Sequence, residues 1–193
     1  MTYLNTKDTI EEILISEKEI DNKLSELAQV IDNEYGKDDD TLLLIGVLKG
    51  ATYVMTDFSR KLTIDTQMDW MSLSSYGSGT HSSGVVRVLK DLDVDVKGRN
   101  ILIVEDIIDS GLTLTWLIQN LKNRGAKSVE VVALLEKQIE DETALQNRIK
   151  AKWVGFQIPD KFVVGYGLDY AEHFRTLPYI GVLKPSVYLN NSH

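Results

Sequence analysis

Two unbroken apolar runs, "TLLLIGVL" at 41–48 and "ILIV" at 101–104, constrain the fold of this chain more than any other feature. A strand with one face in water alternates apolar and polar residues, whereas a strand covered on both faces reads as a continuous Val/Ile/Leu run. Both runs therefore belong in the middle of a parallel sheet with helices on either side. The segments between them agree. Ser16 to Tyr35 reads as an amphipathic helix, opened by a Ser16/Glu19 capping box, with Ile20, Leu24, Leu27 and Ile31 on one face. Helical spacing returns from Ala51 to about Leu62, and from Thr113 to Arg124 through Leu114, Leu117, Ile118 and Leu121. Further strands are expected at Met68–Leu73, in "VVRVLKDL" (85–92) and in "SVEVVALLEK" (128–137), with short apolar segments around Val154 and Val163. "SSYGSGTHSSG" (74–84) reads as a long loop or hairpin tip, and "DETALQNRI" (141–149) as helical or irregular. The runs starting at 101 and 129 are spaced for one strand–helix–strand unit of about 30 residues. Together these segments imply an α/β fold with a mostly parallel central sheet flanked by helices.

Composition narrows the function. At 193 residues the chain fits one domain. A formal net charge of -8 argues against a broad nucleic-acid-binding face, while leaving room for a small cationic pocket. The absence of cysteine excludes disulfides and thiolate metal sites. The N-terminus carries no basic start followed by an apolar run, and no stretch approaches the roughly 20 apolar residues of a membrane span. The expectation is a cytoplasmic protein that binds neither membrane nor nucleic acid.

The chemistry should lie where the polar ends of the two apolar strands meet, at the carboxyl edge of the sheet. There the chain reads "ILIVEDIIDSGLTL" (101–114), placing Glu105, Asp106 and Asp109 after the apolar run. Ionised side chains are costly to bury without partners, so the cluster is either a solvated loop or a site awaiting a cation or ligand. Ser110, Gly111, Leu112 and Thr113 then form a turn into a helix. Their backbone N–H groups can converge on one anion, aided by the helix dipole and two hydroxyls. This is a monophosphate cradle rather than a Walker loop, which needs a Lys before the Ser/Thr. Carboxylates beside a phosphate make sense if they hold hydroxyls or Mg²⁺. An acidic helix cap would account equally well for a lone acidic pair. The complete pattern suggests a sugar phosphate.

On these residues the chain resembles the type I phosphoribosyltransferases, and among them the bacterial hypoxanthine-guanine group. The matching stretches are "GVLKGA" (46–51), "SSYGS" (74–78), "SSGVVRVLKDLD" (82–93), "VEDIIDSGLTL" (104–114) and "DKFVVGYGLDYAEHFRTLPYIGVLKP" (160–185). The resemblance implies transfer of ribose 5-phosphate from phosphoribosyl pyrophosphate to a 6-oxopurine base. It further implies a Mg²⁺ cofactor, a homodimer or homotetramer, and a small hood formed by the N-terminal segment and the region from about 150 to 193. By position, Glu105 and Asp106 would hold the ribose hydroxyls and assist the metal. Asp109 would be the general base near purine N7, and Ser110, Gly111, Leu112 and Thr113 would cradle the 5′-phosphate. Lys49 and Gly50 match a pyrophosphate loop that in the family often has a cis peptide before the Lys, and Arg175 would bind pyrophosphate too. Ser75 and Tyr76 match a flexible catalytic loop. Lys137 would bind the 6-oxo group, Phe162 would stack on the ring, the Val163 backbone would read the pyrimidine edge, and Asp169 would contact a second metal. Taken alone, Phe162 would pass for core and Lys137 for a solvated strand end, while His81 and His173 read as surface residues. Glu136 and Gln138 flank Lys137 where bacterial members more often carry Asp and Pro. An RNA-binding regulator on the same fold would need a basic face that this acidic chain lacks, and the purine-loop match argues against an orotate enzyme more firmly than against a xanthine one.

Overall fold

The computed structural model describes residues 6–37, 40–75, 86–109, 111–138 and 149–189. Tyr76, His81 and Ser110 lie outside the described residues, as do the rest of the 76–85 loop and nearly all of "DETALQNRI". The large sheet has six strands in the order β4-β3-β2-β5-β6-β7. They are β2 (Leu42–Leu48), β3 (Thr66–Ser75), β4 (Val86–Lys90), β5 (Asn100–Ile108), β6 (Ser128–Lys137) and β7 (Trp153–Ile158). All neighbours pair in parallel except β3 and β4, which are antiparallel.

The two apolar runs occupy the centre, as their composition requires. On β2, Leu42 and Leu44 face one core cluster while Leu43 and Ile45 face the other. On β5, Leu102 and Val104 join the first cluster, and Ile101 and Ile103 the second. Helices α2 (Glu17–Tyr35) and α3 (Thr52–Ser59) cover the first face, and α4 (Leu112–Asn123) covers the second. The capping box forms as expected: the Ser16 N–H donates to Glu19 Oε2 at 2.8 Å, and the Glu19 N–H to Ser16 Oγ at 3.4 Å.

One strand is longer than its apolar run. β5 continues past Val104 through Glu105 and Asp106, because its backbone ladder with β6 carries on to Ile107↔Leu135 and Ile108↔Glu136. Ladder hydrogen bonds are indifferent to side-chain polarity, so the carboxylates sit on the strand rather than in a loop after it.

A second sheet of three strands, ordered β1-β9-β8, pairs the two ends of the chain. β1 (Ile10–Ile15) is antiparallel to β9 (Ile180–Leu183), which is antiparallel to β8 (Val163–Val164). A helical turn, Pro185–Tyr188, follows. Within the region after residue 150, β7 belongs to the large sheet and β8 and β9 to the small one.

Candidate active site

Three carboxyl-edge segments and one long loop meet around a cleft of about 370 Å³. β2 runs into Lys49 and Gly50 through a cis Leu48–Lys49 peptide. β5 supplies Asp106 and Ile107, the residue after its end supplies Asp109, and β6 supplies Lys137; the rest comes from Phe162, Val163, Leu168, Asp169 and Arg175. Glycines set how closely these segments approach. A Cβ on Gly50 would lie 1.8 Å from Asp106 Oδ2, and a Cβ on Gly167 would lie 2.0 Å from the Gly50 carbonyl oxygen. Gly167 also sits at φ +103°, which L side chains rarely adopt. The Gly167 N–H donates to the Arg175 carbonyl at 2.9 Å, and Arg175 Nη1 donates back to the Gly167 carbonyl at 2.7 Å. The 165–175 loop is thereby locked in shape, and Gly167 lets it pack closely against the Lys49–Gly50 turn.

Strand alternation separates the two adjacent acids. Asp106 faces the α3 side, in the large cleft with Asp169 and Arg175. Glu105 faces the α4 side and lines a smaller cavity of about 160 Å³ with Gly111, Leu112, Thr113 and Leu114. Ile107 and Asp109 line both cavities, so the two adjoin. Burial pushes the Glu105 carboxyl well above its ordinary range, and the charge of Asp106 pushes it the same way. Burial also raises Asp106, to about 6, against the pull of backbone N–H groups, including that of Ile107 at 2.8 Å, and of Arg175. Two half-buried acids whose ionised forms are this poorly solvated suit a cation-binding role.

The smaller cavity lies where the anion cradle is expected. Gly111 adopts φ +74° as the N-cap of α4, whose first carbonyl partner is Gly111 O, bonded by the Thr115 N–H at 2.9 Å. Gly111 has no side chain to cap the helix, and the first-turn residues Leu112, Thr113 and Leu114, whose N–H groups have no partner within the helix, line the cavity at the positive end of the helix dipole.

At the far end of the cleft, Lys137 Nζ lies 3.5 Å from Asp109 Oδ2 and 3.0 Å from Asp160 Oδ1. Its side chain is only 16% exposed, so it is not the solvated terminus that its strand-end position suggests. Phe162 lines the cleft and is 37% exposed, which removes the reading of it as plain core. Its ring stacks on Tyr188 at 5.0 Å between centroids and meets Tyr170 edge-on at 5.7 Å. Neither tyrosine lines the cleft, so both support the ring from outside. The Glu136–Gln138 departure is accommodated locally: the Gln138 N–H donates to the Ile158 carbonyl at 2.8 Å, a bond proline could not make, and Glu136 accepts from Gln157.

The cleft therefore brings together Lys49, Gly50, Asp106, Asp109, Lys137, Phe162, Val163, Asp169 and Arg175, which lie far apart in sequence. Glu105, Gly111, Leu112 and Thr113 fall in the adjoining cavity. Ser75 ends β3, its backbone paired with Val86. His173 is exposed and outside both cavities, as expected. Sequence reading passed over Ile107 and Leu168, which line the cleft as apolar walls, and Asp160, which holds Lys137. It also passed over Glu172. Asp160 lies two residues before Phe162, a local hint, but the others carry no sequence signal beyond hydrophobicity or charge.

Among the described residues no group of three metal-ligating side chains is poised to hold an ion unaided. Asp106 and Asp169 nevertheless present hard oxygen donors across the same cleft, the donor set for a Mg²⁺ that takes its remaining ligands from water and a substrate phosphate.

Fold and site together define a ligand cleft at the carboxyl edge of a parallel sheet, lined by both cations and carboxylates, and a family comparison gives its class. Residues 9–171 match the phosphoribosyl transferase domain, and the chain belongs to that family. It is 53% identical over 182 residues to the hypoxanthine-guanine phosphoribosyltransferase of Bacillus subtilis, covering 94% of this chain and 98% of that one. The enzyme of the same name from Mycobacterium tuberculosis is 49% identical over 183 residues, covering 93% and 89%. A crystal structure of a hypoxanthine phosphoribosyltransferase from Staphylococcus aureus superposes with a TM-score of 0.88 at 39% identity, over 97% of this chain and 99% of that chain.

Proposed function

We propose that this chain is a purine salvage enzyme. It transfers ribose 5-phosphate from phosphoribosyl pyrophosphate to hypoxanthine or guanine, giving IMP or GMP and pyrophosphate. One observation carries the choice of a 6-oxopurine: Lys137 and Asp109 stand 3.5 Å apart at a cleft end walled by Phe162, Ile107 and Leu168. The 6-oxo group and N7 lie side by side on one edge of guanine. An ammonium and a carboxylate at that separation can serve both, the first as donor to the oxygen, the second as acceptor of the N7 proton.

The remaining residues take the roles that the family resemblance implies for their positions. Loss of pyrophosphate builds oxocarbenium character on the ribose, as in glycoside hydrolysis. Lys49 and Arg175 neutralise the leaving group, acting where charge develops. The first-turn N–H groups of α4, with Thr113 and Ser110, hold the 5′-phosphate, and Glu105 binds ribose hydroxyls. Phe162 and Lys137 hold the base in line, while the Val163 backbone reads its pyrimidine edge. Asp106 and Asp169 would hold magnesium, which when bound supplies Lewis-acid neutralisation of the pyrophosphate oxygens. For Ser75, at the end of β3, and for Tyr76, outside the described residues, the resemblance implies a part in excluding water. The three-stranded sheet of the chain termini forms the hood beside the base. We read the enzyme as a cytoplasmic homodimer or homotetramer, a point that sedimentation would decide.

The test is base selectivity. With phosphoribosyl pyrophosphate and Mg²⁺, hypoxanthine and guanine should turn over and adenine should be slower by about 10⁴-fold, because its 6-amino group turns a donor toward the Lys137 ammonium where the oxopurines offer an acceptor. Lys137→Ala should cost the oxopurines heavily and adenine little. Adenine turnover within tenfold of guanine would remove Lys137 from base recognition.

A further inference from the structure

We infer that Glu172 competes with pyrophosphate for Lys49 and Arg175, acting as a built-in stand-in for the leaving group; this rests on the pyrophosphate reading of those two cations. Its carboxylate oxygens are divided between them. Oε2 accepts from Lys49 Nζ at 2.7 Å, and Oε1 accepts from Arg175 Nη2 at 3.1 Å. A bridging pyrophosphate offers anionic oxygens to the same two groups. Lys49 and Glu172 are 123 residues apart, so the bridge joins the turn after β2 to the 165–175 loop.

The surroundings decide which partner gives way. Arg175 has three acceptors: the Gly167 carbonyl at 2.7 Å, Asp169 Oδ1 at 2.8 Å, and Glu172. The first is backbone within the locked loop, and the Asp169 side chain is only 28% exposed. Glu172 is 63% exposed and can swing into water. Its backbone stays in place, because its N–H donates to Asp169 Oδ2 at 2.8 Å and the residue sits at φ +67°. Anchored in this way, the carboxylate is placed to re-form both pairs as pyrophosphate leaves. Glu172 therefore weakens pyrophosphate binding and speeds its release.

The experiment titrates magnesium pyrophosphate into the full chain by calorimetry, for the wild type, Glu172→Gln, Lys49→Ala and the double variant. Two exposed ion pairs of ordinary strength set the scale, so Glu172→Gln should tighten binding by about three- to tenfold. KM for phosphoribosyl pyrophosphate should fall with it, while kcat should not rise. The gain should shrink by at least half in the Lys49→Ala background, since one arm of the bridge is then missing. Wild-type or weaker affinity in a Glu172→Gln variant that melts normally overturns the competition, as does a full gain without Lys49. If Lys49→Ala itself binds pyrophosphate as well as the wild type, the subsite reading falls first, so the two failures are distinguishable.

Discussion

Strand β5 is two regions in one. Ile101, Leu102, Ile103 and Val104 are all 0% exposed, held between α2 and α3 on one side and α4 on the other. Glu105 and Asp106, the next two residues on the same ladder, are half-buried acids whose ionised forms are poorly solvated. The backbone pairing does not change between the halves; what covers them does. Over the first half lie helices with apolar faces, whose burial stabilises by roughly 25 cal/mol per Å². Over the second lie turns whose glycines bring backbone against carboxylate, Gly50 on Asp106 above all. Rigidity comes from the first half, and the second uses it to hold charged groups where they would not settle by themselves.

That division is broken most directly at Asp109, the residue just past the end of the strand. The base role proposed for it predicts that Asp109→Asn lowers kcat by about 10²–10⁴-fold, the ordinary worth of a positioned base. Its side chain is 66% exposed, so thermal unfolding should be unchanged. Steady-state kinetics beside a melting curve checks both. An Asp109→Asn protein with normal kcat would take the residue out of the chemistry. The mirror experiment is Leu102→Ala, at the buried end. Emptying that position should cost about 2–5 kcal/mol of stability by urea denaturation. The folded fraction should keep its kcat/KM, since Leu102 touches neither cavity. A large kinetic loss without destabilisation would show that the two halves are not separable.

Much of the first region was legible because burial on both faces leaves a composition signal, as at 42–45 and 101–104, and because the Ser16/Glu19 box is a local pattern. The end of β5 was not legible: ladder bonds extend it through Glu105 and Asp106, and a reading based on hydrophobicity stops at Val104. In the second region, Gly111 and the acids stood out as a motif, but Lys137 and Phe162 gained roles only through family resemblance. Taken alone, their local sequence pointed to a solvated end and a core residue. The structure shows why that fails: Asp160 and Asp109 hold the ammonium, and Tyr188 backs the ring, all through tertiary contact. Glu172 meets Lys49 across 123 residues, a pairing no local periodicity can carry.

The smallest expected effect sharpens the comparison most, because it asks whether the second half of β5 is held at a cost to the fold. Asp106 titrates near 6 in the folded chain, against an ordinary carboxyl near 4 when unfolded. Between those values the folded state holds more protons than the unfolded state, so stability falls as pH rises through that window and stays lower above it. Glu105, raised in the same direction, adds to the same slope. Asp106→Asn removes one of the two contributions. The variant should therefore be more stable than the wild type at neutral pH, by about 1–3 kcal/mol from the size of the shift, and the two should converge near pH 4. It should also lose affinity for magnesium phosphoribosyl pyrophosphate, and the wild type should lose the same affinity as pH falls below about 6 and Asp106 takes up its proton. Urea unfolding at several pH values, with calorimetric binding alongside, measures both sides. An Asn variant less stable than the wild type at neutral pH would mean that the carboxylate, through the Ile107 N–H at 2.8 Å, anchors the strand end and is not a strained group awaiting a cation.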